Sequence, residues 1–312
     1  MLRTSSFGCF LLTALPFGVV ASGVVASPVL GSDSPFATEI VDFVSGTGAV
    51  PGYDLPESAL GEPTRTTGGI FFTEAVTPFQ PAWLPEEVVS LGIGGSITVA
   101  FDHDVLDEPG NPHGIDLLVF GNAFCTDPSF PQGICGATYS EGGRIEVSLD
   151  GLDWRTVPKV AADAPFPTIG WQDTGPYDTA PGVEPTDFTR PVDPSMATLV
   201  IGQSHEVIME MYEGSGGGAG IDLASVGLSA IRFVRISNDG ADFTPEVDAV
   251  ADVATDAPTP GNPDIDGDGI VGGGDLGLLL VAWGSSNPEA DLNGNGLVDG
   301  PDLGLLLAAW GM

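Results

Sequence analysis

Asp264, Asp266, Asp268, Ile270 and Asp275 fall at positions 1, 3, 5, 7 and 12 of the stretch DIDGDGIVGGGD. Oxygen ligands at those positions, a backbone carbonyl at position 7, a water-linked group at position 9 and glycine at position 6 are what a tight loop needs to surround a hard divalent cation. The spacing recurs in DLNGNGLVDGPD, where Asp291, Asn293, Asn295, Leu297 and Asp302 hold the same positions and Asp299 stands at position 9. Gly269 and Gly296 supply the sharp turn. Carboxylates gathered so closely repel one another unless a cation sits among them. The segment contains no His or Cys, the usual zinc ligands. Mg²⁺ prefers a smaller octahedral shell that keeps its waters. The spacing therefore predicts two bound Ca²⁺.

Each loop runs into a short apolar stretch. Leu276, Leu279, Leu280 and Trp283 lie at i, i+3, i+4 and i+7, and Leu303, Leu306, Leu307 and Trp310 repeat them. This spacing predicts two helices with one apolar stripe each, started by Asp275 and Asp302, whose carboxylates can cap free N–H groups. Helices this short do not stand alone, so each is expected to bury its stripe against the other, with the metal contributing to folding. Leu278, Val281 and Leu305 lie off the stripe. They predict a further burial surface, against a protein partner or the chain's own larger domain.

Pro260, Pro263 and Pro288 precede the loops and leave little room for entering helices. Loop then helix, twice, resembles the dockerin module over about residues 262–312. The resemblance implies two Ca²⁺ at the positions named above and docking to a cohesin-like domain of a scaffold protein, often in polysaccharide-degrading assemblies. The chain departs from the type I pattern in having Gly273-Gly274 and Gly300-Pro301 where Ser-Thr-like pairs are usual, and no basic residue in either helix. The resemblance thus extends further to the metal than to the docking surface.

The rest of the chain reads as mainly β. Short apolar or alternating runs, VDFVSG, GSITVAFDHDV, IDLLVFGNAF, RIEVSLD, DWRTV, ATLVIG, IRFVRIS and EVDAVADV, are separated by Gly, Pro and Asp. They predict a jelly-roll-like β-sandwich over residues 27–254, with no long helix, followed by a linker over residues 255–263 and the small all-α calcium-binding loop-helix pair over residues 264–312. In RIEVSLDGLDWRTV, Asp150-Gly151 predicts a two-residue hairpin turn, with Ile145, Val147 and Leu149 on one face and Trp154 in the core. The blocks VFGNAF, EVSLDGLDW and EVDAV resemble a family of uncharacterised exported bacterial proteins, and more loosely galactose-binding-type jelly rolls. The latter resemblance implies a structural calcium and, in some members, glycan binding.

Acidic residues outnumber basic ones 43 to 8, for a net charge of −35. This excludes nucleic acid as a partner, because phosphate binding needs clustered Lys and Arg. Disorder is the other reading of high charge, but 42 % of the residues are hydrophobic. Arg3, the apolar stretch FGCFLLTALPFGVV and the small residues of VVAS predict a signal peptide over residues 1–26 and a secreted or cell-surface protein, with no transmembrane segment. Two cysteines then remain, Cys125 and Cys135, which predict a disulfide.

Enzyme motifs are mostly missing. His205-Glu206 opens HEVIM, but Met209 stands where a second zinc-binding His would be needed. His103 and His113 flank an acidic turn and could join Asp102 or Asp104 at a metal, although solvated loop residues are the simpler reading. Trp83, Trp171 and Tyr177 lie in Pro-rich, loop-like surroundings and are the candidate glycan platforms; Glu246 and Asp248 could serve a structural calcium. The expected function is an exported calcium-binding protein with a noncatalytic surface or ligand-binding sandwich. The alternative is a dockerin-bearing, polysaccharide-degrading O-glycosyl hydrolase, which needs only two carboxylates.

Overall fold

In the central strands, alternate apolar residues line up across three chains. Val99 pairs with Val234, which pairs with Val147, and Ile97 pairs with Ile236, which pairs with Ile145. These rows lie on one face of a sheet because successive side chains point to opposite sides of a strand. A computed structural model describes residues 34–68, 74–240, 243–253, 262–267, 269–285, 287, 289–290, 292 and 298–311. The expected signal peptide, and residues 255–261 of the expected linker, lie outside the described residues.

The strands are β1 (Glu39–Val44), β2 (Thr66–Thr67), β3 (Glu74–Ala75), β4 (Val89–Ser90), β5 (Ser96–Leu106), β6 (Leu117–Gly121) and β7 (Phe124–Thr126). They continue with β8 (Ala137–Tyr139), β9 (Gly142–Ser148), β10 (Arg155–Asp163), β11 (Ala219–Ile221), β12 (Ala230–Ser237) and β13 (Glu246–Asp252). Three short helices are α1 (His205–Tyr212), α2 (Gly273–Val281) and α3 (Gly300–Ala308). The chain is mainly β. One antiparallel sheet runs β1-β5-β12-β9-β10 and another runs β11-β6-β13-β4. Val99, Val147 and Val234 of the first sheet share a single core with Leu117, Val119 and Val250 of the second. β6 and β13 are buried on both faces: Leu118, Phe120, Ala249 and Ala251 pack with Phe188 and Ile115 in a separate cluster. That is why LLVF and AVA read as continuous apolar runs rather than alternating ones.

Four local expectations are corrected. The β9–β10 hairpin exists, but its strands end at Ser148 and resume at Arg155, so the connection is longer than two residues. Asp150 Oδ1 accepts the N–H groups of Leu152 and Asp153 at 2.8 and 2.9 Å, and this side-chain turn replaces the tight one. Leu149 is consequently exposed. Trp154 is not in the core but half-buried, with the Arg235 guanidinium 4.1 Å from its ring. ATLVIG forms no strand; part of it lies in the one-turn 3-10 helix Pro194–Thr198. HEVIMEMY forms α1, which buries Ile208 and Tyr212.

Cys125 and Cys135 are disulfide-bonded, as expected. Both are buried in a second core with Phe79, Ile169, Val200, Ile208 and Tyr212. Closing so short a loop contributes roughly 2–3 kcal/mol by restricting the unfolded chain.

Glu246 and Asp248 each have their own partners among the described residues. Asp248 is fully enclosed and accepts the Thr64 N–H at 2.9 Å and its hydroxyl at 3.0 Å; burial raises its pKa to about 7. Glu246 turns toward Glu141 and Asp163, and burial, then the hydrogen bond and charge of Glu141, raise its pKa to about 9. The folded state therefore holds a proton that the unfolded chain has released. The associated stability is fully present below the ordinary value of 4.5 and is lost as pH rises toward about 9. Glu246→Gln is expected to flatten this decline, measured as the urea midpoint across that pH window. An unchanged slope would assign the pH dependence to other groups.

Candidate metal centre

The first loop gathers carboxylates as its spacing predicts. Asp264, Asp266 and Asp275, at positions 1, 3 and 12, each present a carboxylate oxygen, and these oxygens lie within 4.8 Å of one another. Gly269, at position 6, has φ +92°, a left-handed conformation that favours glycine. Its N–H donates to Asp264 Oδ2 at 3.0 Å and so turns the chain back over the first ligand. Asp264 Oδ1 is buried without a hydrogen-bond partner. Such an orphan is costly, and a cation held among the three carboxylates would satisfy it.

Asp275 is buried at the start of α2, where Gly272 N–H and Asp266 N–H donate to its carboxylate at 2.7 and 3.0 Å. These two bonds hold its pKa below the ordinary carboxylate value. One side chain thus caps the helix and ties position 3 to position 12 of the loop. At Gly274, an added Cβ would lie 2.1 Å from Asp266 Oδ2. Glycine at position 11 lets the Asp266 carboxylate lean over the helix start.

The second copy repeats this geometry where it is described. Asp302 is buried at the start of α3 and accepts the Asp299 N–H at 2.7 Å, as Asp275 accepts that of Gly272. Asp299 Oδ1 is buried without a partner. The predicted ligands Asp268, Asp291, Asn293, Asn295 and Leu297 lie outside the described residues. Ile270, at position 7, is exposed, as suits a residue that would ligate through its carbonyl.

The two copies clasp each other reciprocally. Gly284, just past α2, donates to the Val298 carbonyl of the second loop at 2.8 Å; Gly311, just past α3, donates to the Val271 carbonyl of the first at 2.9 Å. Val271, Leu279 and Ala282 share one buried cluster with Val298, Leu306 and Ala309. The expected stripe is corrected in one respect. Leu279 and Leu306 are buried, but Leu280, Trp283, Leu307 and Trp310 are about half exposed. The reason is the burial of Asp275 and Asp302, which turns the faces at i+4 and i+7 from them inward. The inner row is therefore Asp275, Leu279 and Ala282. Leu278 and Leu305 are exposed as expected, and Val281 is 87 % exposed.

Two of the three candidate glycan platforms, Tyr177 and Trp171, are hydrogen-bonded within the chain. Tyr177 donates to Asp127 Oδ2 at 3.0 Å and packs on Phe79 and Phe130. Trp171 donates its indole N–H to the Arg65 carbonyl at 3.0 Å. Trp83 is half exposed. His103 bridges Asp102 and Asp252 at 2.8 and 2.9 Å, and His205 is buried against Phe79. Among the described residues no helix is long and apolar enough to cross a membrane.

No protein-family model matches the chain, and a search of curated proteins finds no match. Asp275→Ala would leave the Gly272 and Asp266 N–H groups without their acceptor. In cation-free buffer it is expected to speed amide exchange in the first turn of α2, with Asp275→Asn intermediate because it keeps one acceptor oxygen. Equal exchange in all three proteins would show that the cap contributes nothing.

Proposed function

We propose that this is an exported Ca²⁺-binding protein, in which a jelly-roll-like, noncatalytic β-sandwich carries a dockerin-like C-terminal pair. The pair folds around two Ca²⁺ and attaches the chain to a cohesin-like domain of a scaffold protein. The observation that carries the calcium reading is the convergence of Asp264, Asp266 and Asp275 on one point from positions 1, 3 and 12 of a twelve-residue stretch that the chain writes twice. The residues present suit the ion: an all-oxygen, carboxylate-rich set on a flexible loop fits Ca²⁺ better than Mg²⁺ or Zn²⁺. Bound there, the ion would offset the repulsion among the carboxylates and hold the loop against the helix start.

Attachment is supported by the outer surface of the two helices. Leu278, Leu280, Val281, Leu305 and Leu307 are exposed on elements of only 9 residues each. So much apolar surface on so small a unit suits burial against another protein. Export is supported by the leader-like N-terminal sequence and by the Cys125–Cys135 disulfide, a bond that persists in oxidising compartments.

Calorimetric titration of Ca²⁺ into the full mature chain tests the reading. Replacing Asp264 and Asp266 by Asn is expected to remove one bound ion, and replacing Asp291 and Asp299 by Asn a second, with Mg²⁺ competing weakly. An unchanged number of bound ions in both variants would overturn it.

A further inference from the structure

An apolar cavity of about 360 Å³ lies in the β-rich part of the chain, between β6, β10, β11 and the 3-10 helix Pro194–Thr198. Its walls include Leu118 of β6, Phe166, Pro191, Val192 and Ala197. A volume of this size falls within the roughly 300–1,000 Å³ typical of small-molecule sites. Of the thirteen residues that line it, only Lys159 carries a polar side chain.

Lys159 is the chain's only lysine, and it is exposed, so it stands where the cavity meets solvent. Every arginine among the described residues is ion-paired to a carboxylate. Among the same residues Lys159 is in no ion pair. With 43 acidic residues in the sequence, this one ammonium beside an apolar wall has been left without a carboxylate.

The backbone sets Lys159 apart as well. β10 is the last strand of the first sheet. Its pairing with β9 steps from Thr156–Glu146 to Ala161–Arg144, five residues on β10 against two on β9. The extra residues form a bulge, a device that re-aims side chains. Lys159 lies within it at φ +66°, a left-handed conformation that strains a residue with a side chain. Among the described residues only two other non-glycine residues have positive φ, His113 and Glu213. Both line a smaller cavity of about 70 Å³ that shares Pro191 with the first. Backbone strain of this kind gathers at ligand sites.

We propose that this cavity binds a small amphiphilic acid, its apolar body among Leu118, Phe166 and Val192 and its carboxylate on the Lys159 ammonium. A sugar would find a single side-chain hydrogen-bond donor there, and a wholly apolar molecule would leave the cation unused. A monocarboxylate with a short alkyl chain matches both halves of the site. An edge lysine on a bulge also discourages pairing with another chain, but that role would not move the affinity for a ligand. The site needs nothing from the C-terminal pair, so it stands whether or not the Ca²⁺ reading does.

The test is calorimetric titration of the full chain with octanoate and, separately, with 1-octanol, which has the same alkyl length and no charge. One octanoate is expected to bind, at least tenfold more tightly than octanol. Lys159→Gly is expected to lower octanoate affinity to that of octanol while raising the unfolding temperature, because glycine adopts the left-handed conformation without strain. Ala197→Phe, which fills the cavity and leaves Lys159 in place, is expected to remove binding of both. The inference is overturned if the chain binds no octanoate, if octanol binds as tightly, if Lys159→Gly leaves octanoate affinity unchanged, or if Ala197→Phe leaves both affinities unchanged.

Discussion

Charge is the constraint under which this chain folds. With 43 acidic and 8 basic residues, most carboxylates have no basic side chain to meet. Six of the eight basic residues, Arg65, Arg144, Arg155, Arg190, Arg232 and Arg235, are each ion-paired to a carboxylate. A carboxylate that must be buried then has three remaining options. It can accept backbone N–H groups, as Asp275 does; it can keep its proton, as Glu246 does beside Glu141; or it can gather with others around a cation. The C-terminal loops and the Asp107–Asp116–Asp222 cluster both gather carboxylates, and they share no sequence pattern.

The repetition at the C-terminus has a packing reason. A single loop-helix unit exposes both the inner row of its helix and the backbone groups at its ends. Two copies bury their inner rows in one shared cluster, Leu279 and Ala282 with Leu306 and Ala309, and exchange hydrogen bonds from the end of each helix to the other's loop. The outer row stays uncovered, and this is the surface on which the attachment reading stands.

The convergence of Asp264, Asp266 and Asp275 was legible from sequence because the three fall within twelve residues, and a fixed loop geometry demands a fixed spacing. The sheet strands were legible for a similar reason: Ile97, Val99, Ile145, Val147, Val234 and Ile236 obey a period of two. The register that joins them, and the burial of both faces of β6 and β13, depends on contacts between distant segments. The second acidic cluster was missed because Asp222 reaches Asp116 only through the pairing of β11 with β6. The acidic turn drew notice for its histidines, yet His103 proved to be committed to Asp102 and Asp252. Of the aromatic candidates, Tyr177 and Trp171 are tied to their own chain by hydrogen bonds to Asp127 and the Arg65 carbonyl, while Trp83 is half exposed.

The most direct test of the account is hydrogen–deuterium exchange over α2 and α3 in the full chain, with Ca²⁺ and with a chelator. If the gathered carboxylates need a cation, Ca²⁺ should slow exchange in both helices at least tenfold and chelation should reverse it, while the Val99–Val234–Val147 region of the large sheet stays protected in both conditions. Equal protection of α2 and α3 with and without Ca²⁺ would contradict the central claim, because the loops would then hold their shape by hydrogen bonding alone.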